Sequence, residues 1–245
     1  MRQCVFCSRP AKTKEHLWSD WILKGLALKT PIRYVIGRAQ PKILESPDIT
    51  VKCVCRDCNN GWMSSLEAAN KPIIGCLMRD ISAPLDTAQQ TALALWAVKT
   101  AMVADAVRKC DRRFYERGEC EQLRLSSLLP ANIRVWLARY SGSALLTQGT
   151  DIWIAIPEAA KAGNGCASTI IVGHLAIQVL AFRVRPEYRD RAITVKPKPG
   201  LWEQLLVEIW PISSTVTWPP VSTFSRNGQF PIDLLPDRWK IGTPA

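Results

Sequence analysis

Apolar side chains recur at helical spacing between residues 85 and 110, at Leu95, Trp96, Met102, Val103 and Val107. This predicts the clearest helix of the chain, with Thr87 and Gln90, three residues apart, as a capping box at its start. The run "TALALWAVKTAMVADAV" inside it is the longest apolar stretch. Lys99 and Asp105 interrupt it, so a buried helix is expected and not a membrane span. After Cys58 the pattern is again helical, with Trp62, Leu66 and Ala69 on one face, and "LWSDWILKGL" also reads as a helix. Residues 132–185 change period. "NIRVWLARY", "DIWIAIP" and "STIIVGHLAIQVLAFRV" are rich in β-branched and aromatic residues with stretches of alternation. They predict an antiparallel sheet, with Gly142, Gly149, Gly163 and Gly165 in its connections. Prolines 31, 41 and 47 punctuate short strands and loops nearer the start. "LWEQLLVEIWP" reads as a short helix stopped by Pro211, and the segment holding Pro219, Pro220, Pro231 and Pro236 as an extended tail over the surface. The expected class is α+β without internal repeats. A module over 1–80 precedes an α+β region over 85–245 that positions substrate or binds a partner.

Composition adds a direction. The 245 residues are 47% hydrophobic and 22% charged, as in an ordinary globular protein, and carry a net charge of +11. Up to Cys58 there are eleven basic side chains against five acidic ones, so over half of the excess lies in under a quarter of the chain. Such a bias points to a polyanionic partner, with a nucleic acid as the candidate. No apolar stretch of a signal peptide follows Met1, which predicts a cytoplasmic protein with no membrane partner. Nine cysteines in that setting predict metal ligation and not disulfides.

The spacing of those cysteines is specific. Cys4-x-x-Cys7 and Cys55-x-x-Cys58 form two knuckles, and together they supply the four soft ligands of a tetrahedral structural zinc site. A redox pair explains one such motif and not two. A Cys2His2 site would need both histidines of the chain, His16 and His174. Cys53 competes from "CVC" but lacks the two-residue gap. Cys76, Cys110, Cys120 and Cys166 stand alone and are expected as buried apolar residues.

A zinc ion joining the knuckles would bring together the segments next to them. Glu15 and His16 sit in "KEH", and Asn59 follows Cys58 directly. Glu15 and Asn59 offer hard oxygen ligands for Mg²⁺ or Mn²⁺, and the imidazole of His16 is a candidate general base for water. The set "CVFC…KEHLW…CRDCNNGWM" resembles the zinc-containing branch of the HNH endonucleases, over about residues 1–70. That resemblance implies a ββα-metal site in a treble-clef frame and metal-dependent hydrolysis of DNA. Glu15 and Asn59 would hold the divalent ion, His16 would be the base, and Cys4, Cys7, Cys55 and Cys58 would bind zinc. Asn60 and Glu67 are candidates for a further position of that signature. Lys12, Lys14 and Lys52 flank the motif as candidate phosphate contacts. The alternative is a non-catalytic zinc module that binds nucleic acid or protein. Trp18, Trp21, Trp62 and Met63 are expected in the core, His174 as a satisfied sheet histidine, and the basic run from Arg108 to Arg117 as a solvated face.

Overall fold

The two cysteine pairs, fifty residues apart in the chain, meet at the start of the fold. A computed structural model describes residues 2–27, 32–34, 42–44, 49–108, 113–156, 159–189, 194–197, 205–224 and 239–242. The class is mixed α+β, as expected, with a cysteine cluster near the N-terminus. The first knuckle is a tight hairpin, in which Cys4 N donates to Arg9 O (2.8 Å) and Ala11 N to Arg2 O (2.9 Å). Strand β1 (Thr13–His16) follows, then helix α1 (Asp20–Leu26), which Ala27 ends in a left-handed conformation (φ 45°). The short strands β2 (Ile32–Tyr34) and β3 (Lys42–Leu44) pair with each other, and β4 (Thr50–Val54) returns antiparallel to β1 with His16 opposite Thr50.

The second knuckle opens a helix. Cys55 caps α2 (Arg56–Cys58), its sulfur accepting from Cys58 N at 3.5 Å. The chain runs on through a π-helical turn (Asn59–Met63), kinked at Gly61, into α3 (Ser64–Leu77). The inward face is not the one expected. Met63, Asn70, Ile73, Ile74 and Leu77 are buried, Trp62 and Leu66 only half-buried, and Ala69 exposed. A π turn takes up an extra residue and so rotates every later side chain around the axis.

Strand β5 (Ala83–Leu85) leads into the central helix α4 (Thr87–Asp105). Its capping box starts one residue earlier than predicted. Asp86 accepts from Gln89 N (2.8 Å) and Gln89 Oε1 from Asp86 N (2.9 Å). Gln90 is instead fully buried, and donates to Leu85 O and Ser214 O at 2.9 Å each. Helix α5 (Arg117–Ser126) follows.

The predicted sheet is one long antiparallel hairpin of β6 (Ile133–Ile156) and β7 (Ala159–Val184). It doubles over at Gly173, so that the chain on either side of the bend touches: Thr169 Oγ1 donates to Gln178 Oε1 at 2.9 Å, and Arg185 N, just past the end of β7, to Ala162 O at 2.9 Å. Gly142, Gly149, Gly163 and Gly165 therefore lie within the strands and not in connections. Gly163 is needed for the crossing, where a Cβ would overlap Arg183 O. Gly173 sits at φ +62° with Met78 O against it, and His174 N donates to that same oxygen at 3.0 Å.

The segment predicted as a last helix is strand over Val207–Trp210 (β9, after β8 at Thr194–Pro197), antiparallel to β6. Burial of Ile209 against the sheet overrides the local helical spacing. Nor does the next stretch lie over the surface. β10 (Val216–Trp218) pairs with β5, and Trp218 and Pro220 are buried. β11 (Thr223–Phe224) pairs parallel with β6, and β12 (Trp239–Gly242) with β8. Pro231 and Pro236 lie outside the described residues.

One apolar core runs across the expected boundary near residue 80. It joins Phe6, Trp18, Ile22 and Leu77 to Leu93, Trp96 and Val172. Arg124 Nε donates to Phe6 O (2.9 Å), and Arg139 pairs with Asp80 through two hydrogen bonds of its Nε and one of its terminal nitrogens. In the described part of the basic run Arg117 is exposed, as expected, while Arg108 and Arg113 are half-buried, and all three make hydrogen bonds within the protein; residues 109–112 lie outside the described residues. Arg108 forks onto Asp151 and reaches Asp105, Arg113 donates to Ala106 O, and Arg117 to Gln3. Among the described residues no helix is long and apolar enough to cross a membrane.

Candidate functional site

The sulfurs of Cys4, Cys7, Cys55 and Cys58 all lie within 4.8 Å of one another, and all four residues are buried. Cys7 and Cys55 are 3.5 Å apart and Cys7 and Cys58 3.7 Å. A tetrahedral ion with metal–sulfur bonds near 2.3 Å has sulfur–sulfur edges of about 3.8 Å, so the cluster fits a metal ion such as zinc. None of the four is in a disulfide. Burial pushes the Cys4 thiol up. At Cys55 burial acts the same way, but the N–H of Cys58 and the neighbouring thiols outweigh it and hold its thiol below the usual value. Phe6 packs inside the loop of the first knuckle, edge-to-face with Trp62 at 4.9 Å.

The remaining cysteines stay out. Cys53 is buried beside Glu15, and desolvation with that negative neighbour pushes it up to about 12. Cys120 and Cys166 are buried as expected and are likewise pushed up to about 12 by burial. Cys76 is only half-buried, at the outer edge of α3, and Cys110 lies outside the described residues.

Beside the cluster is a cleft of about 460 Å³. Its first wall is the end of β1, with Glu15 half-buried and His16 exposed, followed by Ser19, Asp20 and Trp21. Its second wall is the kinked helix, which contributes Asn59 and Asn60 from the π turn, then Ser64, Glu67 and Lys71. The meeting of the two cysteine pairs is what sets these walls opposite each other, since β1 follows one knuckle and the π turn the other. Glu15, His16 and Asn59 thus share one cavity. Burial raises the Glu15 carboxyl, Lys99 opposes this and Glu67 adds to it. A carboxylate so placed favours an added cation.

Glu67 occupies the cleft but has little left to offer a metal. Its Oε1 accepts from Ser19 Oγ and from Trp21 Nε1 (2.9 Å), and its Oε2 from Trp96 Nε1 (2.8 Å), with Lys99 Nζ at 3.6 Å. Burial alone would raise its carboxyl. Lys99 and the three donors reverse that and hold it below the ordinary carboxylate value. Trp21 is thus not simply a core residue: it is half-buried and anchors this carboxylate, while Trp18 is in the core.

Lys12, Lys14 and Lys52 are exposed on and around β1 and β4, and none lines the cleft. The cations that do are Lys71, exposed with its ammonium 5.9 Å from the Trp21 ring, and Lys99 from α4. Sequence reasoning missed both. The signal for Lys99 was present, a single lysine inside an apolar helical run. His174 stands apart on β7 with Nδ1 3.0 Å from Tyr140 O. Compared with family models, curated proteins and solved structures, the chain matches none.

Proposed function

We propose that the chain is a metal-dependent nuclease of the HNH type, acting on DNA in the cytoplasm. The observation that carries the reading is the shared cleft of Glu15, His16 and Asn59 beside the four-cysteine cluster. The local architecture supports it. A knuckle hairpin, an antiparallel β1–β4 pair and a helix opened by the second knuckle are parts that a zinc-stapled ββα arrangement of treble-clef type would use. Zinc on Cys4, Cys7, Cys55 and Cys58 would serve structure only.

Glu15 and Asn59 would hold Mg²⁺ or Mn²⁺. When bound, such an ion stabilises negative charge on the phosphate and on the departing oxygen. His16, at the mouth of the cleft, accepts the proton of the attacking water. The water oxygen forms the new bond to phosphorus, the phosphorus–oxygen bond to the leaving sugar breaks, and the leaving oxygen takes up a proton from solvent. Excess positive charge along the N-terminal segment draws the polyanion in.

The test is plasmid nicking by zinc-loaded protein with Mg²⁺ or Mn²⁺. His16→Ala should lower the rate by roughly 10²–10⁴-fold while zinc content stays unchanged. Asn59→Ala should lose activity mainly through weaker ion binding, recovered in part at high Mn²⁺. If duplex, single-stranded and branched DNA are bound but never cut with any divalent ion, the protein is a binding module and not a nuclease.

A further inference from the structure

Lys99 is 6% exposed, on a helix whose neighbouring positions Trp96, Ala97, Val98, Ala101 and Met102 are buried and apolar. An ammonium carries three N–H donors. Its ion-pair partner is Glu67 at 3.6 Å, longer than a hydrogen bond, the Glu15 carboxylate also attracts it, and the Trp96 ring face lies at 5.8 Å. Among the described residues none of its three protons is accepted in a hydrogen bond. Taking an ammonium out of water costs several kcal/mol unless partners repay it. Glu67 does not need Lys99 to satisfy its oxygens, because Ser19, Trp21 and Trp96 already donate to them. An apolar residue would pack at this position without that cost. The unspent donors face the cleft, whose lining includes Lys99 together with Glu15, His16 and Asn59.

We propose that Lys99 is a catalytic residue, donating from its ammonium to a non-bridging oxygen of the phosphodiester bound in the cleft. This rests on the nuclease reading for its chemistry, and on geometry for the ligand class. Glu15 and Glu67 would repel a phosphate, and a divalent ion on Glu15 and Asn59 offsets only one side of the cavity. Lys99 offsets the other, and Lys12, Lys14 and Lys52 do not line the cleft. The working site is therefore built from both sides of the expected boundary near residue 80, because its floor comes from α4.

The experiment uses the full zinc-loaded chain with Lys99→Met, which keeps an unbranched stem of similar length, and with Lys99→Met combined with Glu67→Gln, which removes the carboxylate left without its counter-ion. Binding of the dinucleotide TpT is followed by tryptophan fluorescence in Ca²⁺. Cleavage is followed in Mn²⁺ on oligonucleotides with a single Rp or Sp phosphorothioate at the mapped cut position. Both variants should bind TpT about 10–100-fold more weakly and cut more slowly by a similar factor, the worth of one charge-assisted hydrogen bond. Wild type should be slowed by sulfur at one diastereomer, and the variants should no longer tell that diastereomer from the oxygen substrate. A merely structural lysine predicts instead that the double variant regains wild-type binding and cleavage with the sulfur effect intact, and that result overturns the proposal. If wild type cuts nothing yet binds TpT in a Lys99-dependent manner, the nuclease reading falls and the phosphodiester site stands. If wild type does not bind TpT, or binds it with no dependence on Lys99, the site itself is refuted.

Discussion

Glu67→Ala is the most informative single change to stability, because one carboxylate accepts from three donors and pairs with Lys99, and so joins three elements. Ser19 and Trp21 belong to the start of α1, Trp96 and Lys99 to α4, and Glu67 itself to α3. Removal leaves the buried Lys99 ammonium without its ion-pair partner at 3.6 Å and with only the Glu15 carboxylate to attract it, and breaking such a pair from one side costs about 3–5 kcal/mol. Trp96 is 2% exposed, so its indole N–H is also orphaned, which places the loss toward the upper end. Ser19 and Trp21 sit at the cleft edge and can turn to water. For a chain of this length, each kcal/mol lowers Tm by roughly 2–4 °C, so a fall of about 10–15 °C is expected. A cycle with Lys99→Met should be non-additive, because the second change removes the very charge that the first strands.

The sign of the pH dependence follows from the same contacts. The folded-state carboxyl of Glu67 lies below its ordinary value of 4.5. Its contribution is therefore fully present above that value and is lost as pH falls through the depressed one. The stability difference between wild type and Glu67→Ala should be flat from about pH 6 to about pH 8 and shrink in acid, measured by urea unfolding of both chains side by side. Acid release of zinc affects both alike and drops out of the difference. A loss under about 1 kcal/mol, an additive cycle, or a difference that does not change in acid would refute the reasoning.

Metal analysis should find about one zinc per chain, released in Cys4→Ser or Cys58→Ser together with N-terminal stability, while Cys76→Ser keeps it. Gly173→Ala combines positive φ with a Cβ that overlaps Met78 O, so chemical denaturation should show a loss of more than about 1 kcal/mol. Replacing Lys12, Lys14 and Lys52 together should reduce the slope of log affinity for DNA against log salt by roughly 0.9 for each phosphate no longer neutralised, with no change in kcat. An unchanged slope would move the electrostatic surface to other residues.

What the sequence made legible was whatever is written in short spacings. The knuckles could be read because tetrahedral ligation demands two close pairs, and Glu15, His16 and Asn59 could be named because each lies near one pair. The Glu67–Lys99 pairing could not, since nothing local connects a carboxylate on one helix to a lysine 32 residues later on another. The buried face of α3 was misjudged because a π turn breaks the 3.6-residue period without any signal beyond Gly61. The strand at Val207–Trp210 carries a helical-looking pattern whose outcome is decided by an open edge of β6, a long-range fact. The cap of α4 moved by one residue because Asp86 competes with Thr87 for the same role.

The four buried polar side chains of α4 show how those long-range facts organise the molecule. Gln90 spends its amide protons on Leu85 O and Ser214 O, fastening the helix start to the connection between β9 and β10. Thr100 returns its hydroxyl to Trp96 O within the helix. Asp105 receives Phe114 N, Tyr115 N and Arg108, fixing the approach to α5. Each of these three makes hydrogen bonds inside the protein, the usual condition for burying polar groups, although Gln90 Oε1 meets no donor among the described residues. Lys99 makes no hydrogen bond among the described residues, and it lies where the helix lines the cleft. A helix that spends the donors of its other buried polar side chains internally, and leaves the one facing a cavity with donors to spare, is shaped for an acceptor that arrives from outside.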